Sequence, residues 1–88
     1  MDLKDLNLSR SDVEHALSQH RDYILTKKSN DLYQVQVVSE DGQGLLNIFF
    51  KKNNKISFLG QGKNPTIAIQ FAKDIIDSIR VSALGMSA

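Results

Sequence analysis

Five lysines and no acidic residue fall within residues 42–73, so the middle of this 88-residue chain is basic. The whole chain has a formal net charge of only +1, because acids outnumber bases before residue 42. A cluster of ammonium groups attracts phosphate, which makes nucleic acid a candidate ligand for this stretch. Lysines are also common on exposed hairpin edges, and the sequence leaves both interpretations open.

The residues suited to phosphate contact surround one predicted turn. Lys51, Lys52 and Lys55 flank Asn53 and Asn54, two residues that tolerate the left-handed backbone of a tight turn. We expect these five residues to contact nucleic acid, the lysines through phosphates. Lys63, at the start of the last predicted helix, is expected to join them.

An aromatic residue lies just before this turn. Phe49 and Phe50 point to opposite faces of a strand because side chains alternate, so one of them is expected on the open face of a sheet. We assign Phe49 to that face, where its ring would stack on a base. The alternative is that the ring packs against a partner protein or the other helix.

A glycine-containing segment precedes the last helix and offers a second possible phosphate contact. It runs Gly60-Gln61-Gly62-Lys63-Asn64-Pro65, with Asn64 as the expected N-cap and Pro65 at the first helical position. Free amides at such a helix start suit phosphate. The segment lacks the further residues of a dinucleotide fingerprint or P-loop, so its glycines can equally serve only to turn the strand beneath the helix.

No set of residues with catalytic spacing is present. His15 and His20 are five residues apart, so they point to different faces of the first predicted helix. Asp74 and Asp77 are expected on the solvated face of the last predicted helix. The chain has no cysteine, which excludes a thiol nucleophile, a thiolate metal site and a disulfide. We therefore expect a non-enzyme that needs no metal and no cofactor.

The hydrophobic pattern predicts an α+β fold in one module over residues 1–88, with its core at about 5–80 and a tail at 81–88. Apolar residues repeat with helical spacing at both ends of the chain and alternate between them. The predicted order is helix, four-stranded antiparallel meander sheet, helix, with the last helix packed on one face. Its segments are 9–21 (helix), 22–28, 32–39, 45–51 and 56–59 (strands), and 65–80 (helix).

The first residues of the chain indicate its cellular location. Acids stand where a signal peptide needs bases, and no apolar run approaches the ~18 residues that a membrane span needs. Together with the lack of cysteine, this predicts a cytoplasmic protein with no membrane partner.

Two resemblances concern the order of elements and the glycine segment. Gly60, Gly62 and Lys63 followed by Ala68 and Ala72 resemble the end of a double-stranded-RNA-binding domain, which implies phosphate contact through Lys63. The order of elements over about residues 3–80 resembles one half of the TATA-binding protein.

Within that second group, the chain is most similar to the N-terminal module of the ribonuclease LS toxin family. The similarity lies in Asp5-Leu6-Asn7-Leu8, Asp22-Tyr23-Ile24, Leu46-Asn47-Ile48-Phe49-Phe50 and the pattern of residues 72–79. Lys55-Ile56-Ser57-Phe58 and Gln61-Gly62-Lys63 also resemble the N-terminal domain of type three ribonuclease H. These resemblances imply an accessory binding module of a toxin–antitoxin or phage-defence system, with ribonuclease activity on a separate domain.

Two functions therefore remain open. The first is binding of nucleic acid, with RNA expected rather than DNA. We adopt this interpretation. The second is protein interaction or self-association, in which the module docks or regulates a partner enzyme. The nearly neutral net charge favours this alternative, because dedicated nucleic-acid binders are usually more basic.

Overall fold

The computed structural model describes residues 2–20 and 23–83, with side chains over 6–20 and 23–81. The fold is α+β. Its elements in chain order are β1 (Asp2–Asn7), α1 (Arg10–Ser18), β2 (Tyr23–Ser29), β3 (Leu32–Ser39), β4 (Gly42–Phe50), a 3₁₀ turn (Lys52–Asn54), β5 (Lys55–Gln61) and α2 (Pro65–Ala83).

The five strands form one antiparallel sheet in the order β1-β5-β4-β3-β2. The predicted meander corresponds to β2 through β5, which pair in sequence order. The prediction of four strands is wrong, because β1 adds a fifth strand at the edge beside β5. This strand precedes α1, so the order of elements begins with a strand rather than a helix.

Strand β1 escaped the sequence analysis because its apolar residues do not alternate. Leu3 and Leu6 are three residues apart, a spacing more typical of a helix than of a strand. The register shifts between them, so that Leu3 lies opposite Phe58 and Leu6 opposite Ile56. A bulge of this kind inserts an extra residue and keeps a strand paired despite an irregular pattern.

The core lies between one face of the sheet and the two helices. It is formed by alternate residues of β3, β4 and β5 together with the apolar stripes of α1 and α2. Its largest fully buried side chains are Val13, Leu17, Val35, Leu46, Ile48, Ile56, Phe58 and Ile75. The opposite face of the sheet is covered by neither helix, and we call it the open face.

The first helix begins as predicted and ends earlier. The hydroxyl of Ser9 caps it by accepting a hydrogen bond from the amide of Asp12 at 3.2 Å. The helix ends at Ser18 rather than near Arg21, because the amides of Gln19 and His20 bond to carbonyls three residues back and tighten the last turn. Arg21 and Asp22 lie outside the described residues.

The second helix begins at Pro65 and continues through Ala83, into the predicted tail. Residues 84–88 lie outside the described part of the chain. None of the described helices combines the length and the apolar character that crossing a bilayer requires.

Candidate nucleic-acid interface

Three connections meet at one end of the sheet because the strands alternate in direction. They are the β1–α1 connection, the β2–β3 turn and the β4–β5 turn. The amide of Leu8 donates to the carbonyl of Asn54 at 2.9 Å, and the amide of Phe50 donates to the carbonyl of Asp31 at 2.8 Å. These backbone bonds hold the connections together. We call this the basic end, defined by Arg10, Lys51, Lys52 and Lys55.

The β4–β5 turn has the left-handed backbone conformation that its two asparagines predict. Asn53 and Asn54 have φ of 62° and 58°, in the left-handed region that asparagine tolerates better than most residues. The amide of Lys51 donates to the carbonyl of Lys55 at 2.7 Å and closes the turn. All five predicted residues of the turn are exposed.

Phe49 lies on the open face, as predicted, while Phe50 is buried in the core with 8% of its surface exposed. The register places Phe49 between Leu32 and Ser57, and its ring is half-buried there. Lys55 lies two residues before Ser57 on the same strand and therefore on the same face. An aromatic ring and an ammonium group thus share the open face beside the turn.

Lys63 does not join this group. It follows β5 at the opposite end of that strand from Lys55, and seven residues of extended chain span about 20 Å. Its neighbours at that end include the acidic residue Asp41 and the Gly42–Leu45 stretch, which line a groove with it. The predicted lysines therefore occupy two separate ends of the sheet.

The two glycines before α2 have different structural roles. Gly60 lies in β5 directly under the helix, where an added Cβ would be 2.8 Å from the carbonyl oxygen of Pro65. Gly62 has a φ of +91°, which an L side chain rarely adopts. The geometry supports the interpretation that these glycines turn the strand beneath the helix.

A row of amide side chains crosses the open face. Gln34 donates to Asn47 at 3.3 Å, and Asn47 donates to Gln61 at 2.7 Å. Asn47 is only 6% exposed although it lies on the uncovered face, because neighbouring side chains enclose it. The row leaves amide groups of Gln34 and Gln61 for further hydrogen bonds, since each carries both donors and an acceptor.

Arg10 is a member of the basic end that sequence analysis missed. Its guanidinium carbon lies 4.4 Å from the ring centre of Phe50 and 5.8 Å from that of Tyr33. It also donates to the carbonyl of Asn30 and pairs with Asp31 at 3.7 Å. All four partners are at least 20 residues away, so no local pattern could have indicated this role.

Tyr33 links the basic end to α1. Its hydroxyl donates to a carboxylate oxygen of Glu14 at 2.5 Å. This hydrogen bond and the burial of the ring raise the pKa of Tyr33 above its ordinary value of 10.0, and the charge of Glu14 acts in the same direction against a smaller opposite effect of Arg10. A tyrosinate would lose the bond and lie against a carboxylate.

Tyr33→Phe is therefore expected to change how stability depends on alkaline pH. A raised folded pKa gives stability that is complete below the unfolded pKa, near 10, and is lost as the pH rises through the folded pKa. Above about pH 10, the free energy of unfolding of the unaltered protein should fall more steeply than that of the variant, by up to about 1.4 kcal/mol per pH unit. At about pH 8 the variant should be less stable by about 1 kcal/mol. Urea unfolding at several pH values measures both effects, and parallel pH curves would contradict the assignment.

The histidines and the paired aspartates form no recognisable catalytic group. His20 Nε2 lies 3.3 Å from the Ser78 hydroxyl, which itself donates to the backbone carbonyl of Asp74. His15 and Asp77 are exposed on the helix surfaces. Among the side chains described over residues 6–20 and 23–81, no three of His, Asp or Glu lie close enough together to hold a metal ion.

Comparison with known proteins adds no assignment. No protein-family model, no curated protein and no solved structure matches this chain.

Proposed function

We propose that this protein is a non-catalytic module that binds single-stranded nucleic acid across the lysines of the β4–β5 turn, Lys51, Lys52 and Lys55, and the adjoining open face. The observation that carries the proposal is the placement of Phe49 and Lys55 on one uncovered face, beside the turn that holds Lys51 and Lys52. Proteins that bind single strands combine cationic contacts to the backbone with aromatic rings on which bases stack.

RNA is the preferred ligand in this proposal. Asn47, the central member of the amide row with Gln34 and Gln61, lies two residues from Phe49 along β4 and therefore on the same open face as its ring. Amides both donate and accept hydrogen bonds, as does the 2′-hydroxyl that distinguishes RNA from DNA. A nucleotide whose base stacks on Phe49 would therefore have its sugar and the edge of its base close to this amide row.

The setting we propose is cytoplasmic, in a toxin–antitoxin or phage-defence system, with ribonuclease activity on another domain or chain. This part rests on the resemblance to the ribonuclease LS toxin family. The fold contributes an antiparallel sheet with one uncovered face, which is a surface suited to an accessory binding role.

Charge reversal at the turn tests the proposal. Lys51→Glu, Lys52→Glu and Lys55→Glu in one protein should weaken binding of a labelled single-stranded RNA by about a hundredfold or more at low salt. The unaltered protein should show a log–log salt slope of about −2 if all three lysines contact phosphates. Fluorescence anisotropy with RNA and DNA of the same sequence measures affinity, salt slope and preference.

Matched controls locate the binding surface. Lys73 is an exposed lysine of α2, so Lys73→Glu should change affinity far less than Lys52→Glu. Lys63→Glu reports whether a bound strand extends to the far end of β5. Phe49→Ala should weaken binding while Val38→Ala, an exposed apolar position on the same face, should not. Equal binding by the triple variant and the unaltered protein would overturn the proposal.

Protein interaction is the second candidate, and a specific feature of the open face favours it. Its central positions on β3, β4 and β5 are apolar or amide side chains without charge, including the half-buried Leu32, Leu45 and Leu59. Uncharged cores with polar surroundings are typical of protein interfaces. Size-exclusion chromatography with light scattering detects self-association through this face, and Leu45→Glu should abolish any dimer that uses it.

A further inference from the structure

A groove lies at the basic end, on the helix side of the β4–β5 turn. It has a volume of about 530 Å³ and is lined by residues of the β1–α1 connection, the β2–β3 turn and the β4–β5 turn. Its apolar lining comes from Leu8, Phe50 and Ile56, whereas the charged residues at its boundary are Arg10, Asp31, Lys51 and Lys52. Pockets of this size with an apolar lining and a few fixed polar groups hold small organic ligands.

Arg10 is held in position before any ligand arrives. The aromatic rings of Phe50 and Tyr33 lie against its guanidinium group, and the Asn30 carbonyl and Asp31 carboxylate take part of its hydrogen-bonding capacity. A guanidinium has five N–H donors, so donors remain after these contacts. Such a fork can bind two phosphate oxygens at once, and it loses little side-chain freedom when already fixed.

The charge of the groove favours an anion with more than one negative charge. Among the described residues that line it, Arg10, Lys51 and Lys52 are cationic and Asp31 is anionic; Asp31 is 82% exposed and its carboxylate lies 3.7 Å from Arg10. A terminal phosphate monoester carries a charge between −1.5 and −2 at neutral pH and has three free oxygens. An internal phosphodiester carries one charge and has two free oxygens, so the groove should distinguish the two.

We propose that this groove binds the terminal phosphate of a nucleic-acid strand, with Arg10 as its principal ligand and Lys52 at its edge. The inference rests on the proposed function, because it extends the path of the same strand. The turn of Lys51–Lys55 separates the open face, where Phe49 lies, from the groove. A strand with a base on Phe49 reaches Arg10 by passing over that turn.

Oligonucleotides with defined ends test this inference. Three single-stranded RNAs of identical sequence, carrying a 5′-phosphate, a 3′-phosphate or no terminal phosphate, are compared by anisotropy. One of the phosphorylated ends should bind about tenfold more tightly than the unphosphorylated strand. Arg10→Gln should abolish that difference while leaving the affinity for the unphosphorylated strand within about threefold.

Two further variants, with Asp74→Asn as a control, separate phosphate contact from structural support. Asp31→Asn removes the carboxylate that competes for Arg10, so it should increase the preference for the phosphorylated strand, whereas Asp74→Asn on α2 should not. Arg10→Lys keeps the charge but not the fork, so it should restore only part of the preference. Circular dichroism and urea unfolding verify that each variant is folded.

Adenosine monophosphate probes the groove without requiring a strand. Adenosine monophosphate should shift the NMR signals of the backbone amides of residue 10 and Lys52, and Arg10→Gln should abolish these shifts. That result would support phosphate binding in the groove even if no oligonucleotide bound and the proposed function failed. Oligonucleotide binding that ignores the terminal phosphate would overturn the inference and leave the proposed function intact. A stronger response to a triglutamate peptide than to adenosine monophosphate would also overturn it, because the site would then recognise acidic peptides.

Discussion

Gly44→Ala and Gly60→Ala are each expected to lower the free energy of unfolding by about 3 kcal/mol. The two glycines lie on neighbouring strands and face α2, and Gly60 pairs directly with Leu46, two residues along β4 from Gly44. The first turns of the helix rest on this pair. A side chain at either position forces the helix away from the sheet.

The magnitude follows from the atoms that an added methyl group would meet. At position 44 the new Cβ would lie 2.7 Å from the amide nitrogen of Ala68 and 3.0 Å from the carbonyl oxygen of Asn64. At position 60 it would lie 2.8 Å from the carbonyl oxygen of Pro65. These are backbone atoms, so no side-chain rotation relieves the contact. The helix must shift, and it carries much of the core with it.

Urea unfolding followed by circular dichroism measures the effect, and Gly62→Ala provides a matched comparison. That position has a positive φ but no contact closer than 3.7 Å, so only backbone strain of about 1 kcal/mol is expected. A loss at positions 44 and 60 no larger than that at position 62 would show that α2 does not depend on this close approach.

The sequence predicted the elements whose signals are local. Strand β3 alternates strictly, with Tyr33, Val35 and Val37 buried against the core. Ser9 caps α1 as its hydroxyl and position predicted, and the asparagines of the β4–β5 turn adopt the left-handed backbone. In each of these cases neighbouring residues suffice to determine the structure.

The predictions that were wrong or incomplete depend on contacts between segments that are distant in the sequence. Strand β1 finds its partner in β5, about fifty residues later in the chain, and its bulge hides the alternating pattern. The separation of Lys63 from Lys55 follows from the direction of a single strand and could have been inferred once β5 was assigned. Arg10 could not have been found in this way, because its place depends on how three connections pack at one end of the sheet.

Phe50→Ala is expected to lower the free energy of unfolding by about 3–4 kcal/mol. The ring is buried at the end of β4, opposite Ile56, and its centre lies 4.7 Å from that of Tyr33 in an edge-on arrangement. Truncation leaves a cavity between the sheet and the start of α1. Phe50→Leu fills most of that volume and should cost only about 1 kcal/mol.

The two variants differ in stability but share one consequence for the basic end. Both remove the aromatic ring that lies 4.4 Å from the Arg10 guanidinium, a contact of about 0.5–1 kcal/mol when partly exposed. If the ring positions Arg10 for a terminal phosphate, Phe50→Leu should reduce the preference for the phosphorylated strand several-fold although the protein remains nearly as stable. Binding to the unphosphorylated strand should be unchanged, because Phe49 and the lysine turn remain. A Phe50→Leu protein that keeps the full preference would show that the ion pair with Asp31 and the bond to Asn30 are sufficient to position Arg10.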